Sequence, residues 1–273
     1  MKIAVLLSTY NGGSYLKYQL DSLIHQDLKN FIVYLRDDGS SDNTIEIIKE
    51  YEKSFPTKIV YIDDLFSHLG PAQSFMKLLS EVDADYYFFC DQDDVWKVDK
   101  MSRSMELMIE IEKMHPNKPV LIHTDAEIVD QNLSQLYPSL WQHSKVHPSR
   151  LDNKRMLPVC YTVTGCTSVI NRTAKIISVD MPSGALMHDS WIAYCVSQKG
   201  IVKPLYYSSM LYRQHAQNVF GIVGTGKRFN TNKLKELKET INEYKKLAKF
   251  YSDNGYGSTF KWYFYKLVFF LIR

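Results

Sequence analysis

Several common signatures are missing from this chain. It contains neither the G-x-x-x-x-G-K-S/T phosphate loop nor the G-x-G-x-x-G turn of dinucleotide-binding proteins. No apolar run reaches the roughly 18 residues that a membrane-spanning helix needs. The stretch after Met1-Lys2 is too short for a secretory signal peptide. A net charge of +3 is also too small to indicate a nucleic-acid-binding protein.

Cysteine is scarce as well, and its placement indicates the compartment. The four cysteines show no C-x-x-C pair and no metal-finger spacing: Cys90, Cys160, Cys166 and Cys195. Most of them lie among apolar residues, so we expect buried thiols in a reducing compartment. Because no signal peptide or membrane span is visible either, the sequence predicts a cytoplasmic protein.

The 273 residues suit one α/β domain with a helical tail. In the first hundred residues, four apolar stretches alternate with helical patterns, which predicts the order β-α-β-α-β-α-β-α. That order is typical of a mostly parallel central sheet flanked by helices. We expect a main domain over residues 1–221, with a nucleotide-binding half at about 1–98 and a second half at about 99–221. Residues 222–273 would form a helical C-terminal extension.

The most informative stretch joins an aromatic strand to a cluster of acids. Residues 86–90 show no polar alternation, which is typical of a strand covered on both faces, and Asp91, Asp93 and Asp94 follow it. Ligands bind at such strand ends in open α/β sheets. A divalent cation would relieve the repulsion among these carboxylates, and oxygen ligands favour Mg²⁺ or Mn²⁺. The pattern therefore predicts a metal–diphosphate site, although a solvated acidic turn capping the next helix explains it too.

Polar residues elsewhere offer further candidates. Asp37 and Asp38 follow the second strand and either contact a nucleoside or cap the turn. His188-Asp189 opens a helix, as a candidate base or as a simple N-cap. The segment 211–221 presents Arg, Gln, His and Asn side chains that can pair diphosphate oxygens and add a histidine to a metal. Residues 130–148, which include Trp141, either line a second substrate cleft or form a surface excursion, and His68 is more typical of a structural loop residue.

Four of these stretches together resemble glycosyltransferase family 2, whose members have the GT-A type of nucleotide-diphospho-sugar transferase fold. They are LLSTYNG at 6–12, RDDGSSDNT at 36–44, DQDD at 91–94, and His188-Asp189 upstream of Trp191. The segment from Tyr212 to Asn218 is similar to the branch of rhamnosyltransferases. The resemblance covers about residues 1–220.

The resemblance implies a metal-dependent, inverting transfer of rhamnose or another hexose. The donor would be a dTDP- or UDP-linked sugar, and the acceptor a hydroxyl of a glycan or lipid-linked oligosaccharide in cell-surface polysaccharide (capsule) assembly. By position, Asp189 would be the catalytic base, and Asp93, His215 and Asp91 would hold Mn²⁺ or Mg²⁺. The expected donor-nucleotide contacts are Thr9, Tyr10, Asn11, Asp38, Asp91 and Gln92. The expected donor-sugar or acceptor contacts are Gly165, His188, Trp191, Arg213 and Gln214.

The chain also departs from patterns that the family shows. Many members have Glu-Asp where this sequence has His188-Asp189, so the residue that orients the base differs. The Gln-x-x-Arg-Trp motif of processive members is absent from the sequence, which favours addition of one sugar per encounter.

The last residues, 260–273, are aromatic, apolar and cationic, and too few to span a bilayer. We expect them to lie at the membrane interface, with Lys261, Lys266 and Arg273 toward anionic lipid, which would make the protein peripheral at the inner face of the cell membrane. The alternative is a terminal helix packed on the domain or on a second subunit.

Two other functions explain part of the sequence. Asp91 to Val95 also fits the Asp-x-Asp-x-Val motif of haloacid-dehalogenase-type phosphatases, in which the first aspartate is the nucleophile. That motif normally follows the first strand of its domain, whereas three strand–helix units precede it here. The second is a non-catalytic protein that binds nucleotide sugars without turnover.

Overall fold

A computed structural model describes residues 1–64, 66–215 and 233–272, with the backbone alone at 233–237. The first half alternates strands and helices: β1 (Ile3–Thr9), α1 (Leu16–Ile24), β2 (Ile32–Asp37), α2 (Thr44–Ser54), β3 (Ile59–Tyr61), α3 (Gly70–Glu81) and β4 (Tyr86–Cys90). These four strands pair in parallel, with β1 between β2 and β4 and with β3 outside β2. Their carboxyl ends therefore meet at one edge of the sheet.

The second half adds β5 (Val95–Trp96), α4 (Lys100–Met114), β6 (Val120–Val129), β7 (Gln135–Tyr137), α5 (Leu140–His143), α6 (Pro148–Leu151), a 3-10 turn (Gly165–Thr167), β8 (Ser168–Asn171), α7 (Arg172–Ser178), α8 (His188–Lys199) and β9 (Ile201–Arg213). Strand β8 runs antiparallel to β4 and β6, while β9 runs parallel to β6. Within the described residues the sheet has nine strands in the order β3-β2-β1-β4-β8-β6-β9-β5, with β7 beside β6. The predicted helix-flanked sheet is confirmed, and the sheet as a whole is mixed.

Helices cover both faces of the sheet, which explains the unbroken apolar runs of β1 and β4. Successive residues of these strands point to opposite sides. Leu6 and Phe89 pack in a cluster with helices α3 and α8, whereas Val5 and Phe88 pack in a second cluster with α1, α2 and α4. All four cysteines are free and buried, as the sequence predicts.

The C-terminal helix pair consists of α9 (Lys233–Tyr251), a π-helical turn (Ser252–Tyr256) and α10 (Thr259–Ile272). It packs into the core on the α3–α8 side through Tyr251, Tyr256, Trp262 and Phe269, which are all buried. The extension is therefore joined to the main domain by a shared core. The expected boundary at residue 221 lies outside the described residues, as do Asn218 and Arg273.

The opposite face of α10 is exposed and apolar. Its large side chains are 41–79% exposed: Phe260, Tyr263, Phe264, Leu267, Phe270 and Leu271. Two residues of the expected cationic fringe bind carbonyl groups: Lys261 Nζ donates to Tyr256 (2.7 Å) and Lys266 Nζ donates to Val159 (2.8 Å). Both amines therefore turn toward protein. None of the helices in the described part of the chain is long and apolar enough to cross a membrane.

Candidate active site

A cleft of about 910 Å³ lies at the sheet edge where β1, β2 and β4 end, and α8 begins on its far side. The described lining includes most of the residues that the sequence and the resemblance single out: Thr9, Tyr10, Asn11, Asp38, Asp91, Gln92, Asp93, Gly165, His188, Asp189 and His215. Trp191, Arg213 and Gln214 are outside that lining. The fold therefore brings distant motifs together at one site.

Gln92 fastens the loop after β1 to the loop after β4. Its Oε1 accepts from the Tyr10 N–H (2.9 Å), and its Nε2 donates to the Tyr10 carbonyl (2.9 Å). A Cβ at Gly12 would lie 2.2 Å from Gln92 Oε1, so this approach requires glycine. Because its amide is bound to main chain, Gln92 shapes the pocket that it also lines.

Asp38 organises the third loop of the cleft. Its carboxylate accepts from Arg36 Nη1 (2.9 Å) and from the N–H groups of Leu69 (2.9 Å) and Gly70 (2.8 Å). Burial acts to raise the pKa of Asp38, but the Arg36 guanidinium and the two N–H groups outweigh it and lower that pKa. The ionised carboxylate thus holds the loop that carries His68. His68 lies in the lining, with its ring centroid 5.9 Å from that of Tyr10, which the sequence did not indicate.

The acidic cluster after β4 is supported from behind by Arg213. The Arg213 main-chain N–H donates to Asp94 Oδ1 (3.0 Å), and its Nε donates to the Asp93 carbonyl (2.6 Å). Arg213 is only 2% exposed, so it positions the acidic loop and does not face the cleft as expected. On the cleft side, His215 Nε2 is 2.8 Å from Asp93 Oδ2, and its ring stacks on Tyr15 at 4.6 Å.

Burial makes the charges of this cluster costly. Burial and then the charge of Asp93 raise the pKa of Asp91 to about 7 and raise the pKa of Asp94 well above its usual value. The buried amine of Lys100 lies nearby and donates to the Cys166 carbonyl (2.6 Å). Burial lowers the pKa of Lys100 to about 8. Carboxylates held in this state gain stability from a proton or a cation.

The donor atoms fit a hard divalent cation. Asp91, Asp94 and Cys166 offer atoms within 4.8 Å of one another, and Asp94 Oδ2 has no hydrogen-bond partner among the described residues. Burial and the Asp94 charge raise the pKa of the Cys166 thiol, so it stays protonated and is a poor ligand for Mg²⁺ or Mn²⁺. Asp91 and Asp93 are the carboxylates that reach the cleft lining.

Asp189 enters the cleft from the first turn of α8. Its Oδ2 accepts from the Gly165 N–H (2.9 Å), and its Oδ1 accepts from the Ser190 N–H (2.6 Å). Burial raises the pKa of Asp189 to about 6, and the two N–H groups oppose that rise. The carboxylate is therefore mostly ionised at neutral pH and can take a proton.

His188 does not orient Asp189 through a hydrogen bond. Its ring lies between Phe75 (4.3 Å) and Phe89 (5.3 Å), and neither ring nitrogen has a hydrogen-bond partner among the described residues. Burial lowers the pKa of His188 to about 3, so the ring is neutral. A Cβ at Gly165 would lie 2.7 Å from His188 Nε2. The imidazole therefore occupies the space beside Gly165 and fixes the loop whose N–H binds Asp189.

Two more expected contacts belong to the framework. Trp191 is 8% exposed, and its Nε1 donates to the Ser178 carbonyl (2.8 Å), so it packs behind α8. The Gln214 N–H donates to the Val129 carbonyl (2.8 Å) beyond the end of β9. The cleft also has an apolar chamber, lined by Leu140, Trp141, Val146, Tyr161, Val163, Leu186 and Met187. The segment 130–148, which the sequence offered as a cleft lining or a surface excursion, supplies Leu140, Trp141 and Val146, and the other four residues had no sequence signal.

The mixed, helix-flanked sheet has the GT-A type of nucleotide-diphospho-sugar transferase fold, as comparison with solved structures shows. The structure of Staphylococcus aureus TarS 1-349 in complex with UDP-GlcNAc superposes with a TM-score of 0.61 at 16% identity, over 94% of this chain and 74% of that one. Mannosyltransferase PcManGT from Pyrobaculum calidifontis, in complex with GDP-Man and Mn²⁺, gives a TM-score of 0.61 at 13% identity, over 79% and 58%.

The family follows from the sequence match. The model of glycosyl transferase family 2 matches residues 4–174, which is more than half of the chain, and the chain belongs to this family. It is 27% identical over 233 residues to the dTDP-rhamnosyl transferase RfbG of Shigella flexneri, covering 79% of this chain and 73% of that protein. The protein is therefore a glycosyltransferase, and the phosphatase alternative is set aside.

The packing at Gly165 predicts a defect in Gly165→Ala. The new methyl group meets a ring that two phenylalanines hold in place, so the loop shifts and its N–H leaves Asp189. Since that N–H lowers the pKa of Asp189, its loss raises that pKa, and we expect the acidic limb of the pH–rate profile to move to higher pH. We also expect at least about tenfold lower turnover of the donor sugar nucleotide. An unchanged pH–rate profile, measured as release of nucleoside diphosphate, would contradict the proposed contact.

Proposed function

We propose that this glycosyltransferase transfers a sugar with inversion from a nucleoside-diphosphate donor, with Asp189 as general base and a divalent cation at Asp91 and Asp93. One observation carries the proposal: the half-buried Asp189 carboxylate, held by two N–H groups, shares a single cleft with an acidic loop and the nucleotide-side loops. A base and a leaving-group site in one cleft are the two parts that the reaction needs.

The donor nucleotide fits the end of the cleft formed by the loops after β1 and β2. Tyr10 and His68 offer ring faces there, and Thr9, Asn11 and Asp38 line the same end. The name of RfbG specifies a dTDP-rhamnose donor, and TarS was solved with UDP-GlcNAc. A dTDP- or UDP-linked hexose, with rhamnose as the first candidate, is the donor that these relatives support.

Charge supports metal dependence. The described part of the cleft lining contains four aspartates and no lysine or arginine. A negatively charged diphosphate would therefore be repelled by the negative potential of the cleft. Asp91 and Asp93 would hold Mn²⁺ or Mg²⁺, with His215 beside Asp93. When bound, the cation supplies Lewis-acid stabilisation of the leaving diphosphate. PcManGT, a protein of the same fold, was solved with Mn²⁺.

Asp189 then performs the proton transfer. The acceptor hydroxyl oxygen bonds to the anomeric carbon, its proton passes to Asp189, and the bond to the diphosphate oxygen breaks with its electron pair. Attack from the face opposite the leaving group inverts the configuration. The Gly165 and Ser190 N–H groups hold the carboxylate in place before the acceptor arrives.

We assign the apolar chamber of the cleft to the acceptor and call it the acceptor chamber. Its aromatic and aliphatic lining suits the apolar face of a pyranose ring, with Trp141 and Tyr161 as stacking surfaces. We therefore favour a neutral glycan or lipid-linked oligosaccharide that receives one sugar per encounter. This fits a role in cell-surface polysaccharide assembly.

The exposed face of α10 supports binding to the membrane surface. The helix has 14 residues and is about 21 Å long, against about 30 Å for a bilayer core, so it suits the interface. With Lys261 and Lys266 bound to carbonyl groups, contact would come chiefly from apolar insertion. We infer a peripheral protein at the inner face of the membrane, where a lipid-linked acceptor is presented.

Replacement of the base tests the chemical step. Asp189→Asn keeps the shape, but its single amide oxygen can accept only one of the two N–H bonds, and it cannot take a proton. We expect about 10²–10⁴-fold lower turnover with unchanged donor affinity. Asp180→Asn, at an exposed aspartate outside the cleft lining, is the matched control. Normal turnover in Asp189→Asn, measured by nucleoside diphosphate release, would remove Asp189 from the mechanism.

The metal site is tested by calorimetry with a donor panel. We expect one of dTDP-rhamnose, UDP-glucose, UDP-galactose, UDP-N-acetylglucosamine or GDP-mannose to bind with Mn²⁺ and to lose at least about tenfold in affinity with chelator. Asp93→Ala should abolish this difference, whereas Asp63→Ala, at an exposed aspartate, should preserve it. Equal donor binding with Mn²⁺ and with chelator in the wild type would refute metal dependence.

Membrane contact is tested by sedimentation with phosphatidylglycerol–phosphatidylcholine vesicles. Phe264→Glu and Leu267→Glu each place a charge on the exposed face, and we expect about tenfold weaker binding. Ile176→Glu on α7, where the side chain is 67% exposed, is the control and should bind normally. The membrane proposal is contradicted if the wild type does not sediment with vesicles. If the wild type instead forms a dimer that Leu267→Glu dissociates, the exposed face of α10 binds a second copy of the chain.

A further inference from the structure

An irregular segment, which we call the wall, joins the acceptor chamber to the glycine that binds Asp189. Residues 161–165 form this wall, and a turn at 154–160 leads into it. The wall touches the catalytic region at Gly165, whose N–H donates to Asp189 (2.9 Å). Thr162 Oγ1 anchors its middle by donating to Asp152 (2.6 Å). An irregular segment has no ladder of main-chain bonds, so individual contacts such as this one, together with the packing of Val163 in the core, hold it in position.

Three side chains of the C-terminal helix pair hold the turn that precedes this wall. Tyr256 Oη donates to the Arg155 carbonyl (2.6 Å). Trp262 Nε1 donates to the Pro158 carbonyl (2.9 Å), and Lys266 Nζ donates to the Val159 carbonyl (2.8 Å). Pro158 is three residues and Val159 two residues before Tyr161, which is the first residue of the wall.

The side chains of Trp262 and Lys266 are also fixed by contacts other than their bonds to the turn. Trp262 is 1% exposed and belongs to the core. The Lys266 ammonium lies over the rings of Tyr244 (4.9 Å), Phe269 (5.1 Å) and Trp262 (5.8 Å). A long flexible side chain thus points in one direction, which makes its bond to Val159 a geometric constraint and not a passing surface contact.

The same helix pair also packs behind the helix that carries Asp189. Tyr194 of α8 donates through its Oη to the Asn254 carbonyl (2.8 Å), and its ring lies 5.0 Å from that of Tyr251. Phe250 packs against Trp191 of α8 at 5.9 Å. The helix pair therefore contacts both the helix that carries Asp189 and the turn that leads to Gly165.

We propose that Trp262 and Lys266 are positioning residues for sugar transfer. By holding Pro158 and Val159 they keep the wall in place, so that Gly165 stays bonded to Asp189 and Tyr161 stays in the acceptor chamber. The effect on turnover rests on the proposed function, whereas the bonds from Trp262 and Lys266 to the turn do not depend on it. The donor-side loops are held by other contacts, from Gln92 to Tyr10 and from Arg213 to Asp93 and Asp94, so donor binding should change little in variants of these two residues.

The test compares conservative variants in the full chain. Trp262→Phe removes the indole N–H but keeps an aromatic ring, and Lys266→Met keeps the length of the side chain without its donor. Lys261→Met is the matched control, because this lysine is also on α10 but bonds within the helix pair, to Tyr256. Lys266→Arg should rescue the Lys266→Met defect, since a guanidinium can still donate to Val159.

Amide hydrogen exchange gives the first readout and does not depend on any substrate. We expect the peptide covering 155–167 to exchange about tenfold faster in Trp262→Phe and Lys266→Met, and at the wild-type rate in Lys261→Met. Unchanged exchange in both variants would overturn the structural link whatever the enzyme does.

Kinetics gives the second readout, with the donor that the calorimetric panel identifies. We expect the donor Kd in the presence of Mn²⁺ to stay at the wild-type value while turnover falls about tenfold. Faster exchange with normal turnover would show that the wall is held but does not matter for the reaction. Equal losses in donor binding and turnover would mark a general folding defect, and either result would overturn the positioning role. A wild type that binds no donor would count against the proposed function alone.

Discussion

The repulsion among three aspartates at the end of β4 is the constraint on which the rest of the site depends. Asp91, Asp93 and Asp94 are brought into a partly buried loop, where burial raises the pKa of Asp91 and of Asp94. A loop with this charge would open toward water unless other parts of the chain held it. Arg213 binds it from behind through main-chain and guanidinium bonds, and Gln92 ties it to the loop after β1. The fold therefore stabilises an acidic loop that a divalent cation and a diphosphate would complete.

Much of this arrangement could be predicted from sequence because it is local. The apolar runs of β1 and β4 have no polar alternation, so buried strands followed directly, and the acids after β4 had to lie at the ligand-binding edge. Asp189 became a candidate base for a similarly local reason, since the start of a helix favours the ionised form of an aspartate.

The roles that sequence could not assign depend on tertiary packing. Arg213 and Trp191 have side chains that commonly bind sugars and phosphates, but β9 extends through Arg213 by pairing with β6, and Trp191 faces the core behind α8. Lys261 and Lys266 were expected to face lipid because helical position alone does not reveal a carbonyl acceptor on another segment. Most of the acceptor chamber, such as Tyr161 and Met187, belongs to irregular segments with no periodic pattern.

The central claim is that nucleoside diphosphate and cation bind together at this acidic loop. Electron paramagnetic resonance of free Mn²⁺ measures this directly, because the sharp signal of the hydrated ion is lost on binding. With enzyme and UDP or dTDP both present, we expect about one Mn²⁺ per chain to lose this signal, and Asp93→Ala to leave it intact. A wild-type enzyme that binds the nucleotide while the Mn²⁺ signal stays at full height would contradict the account.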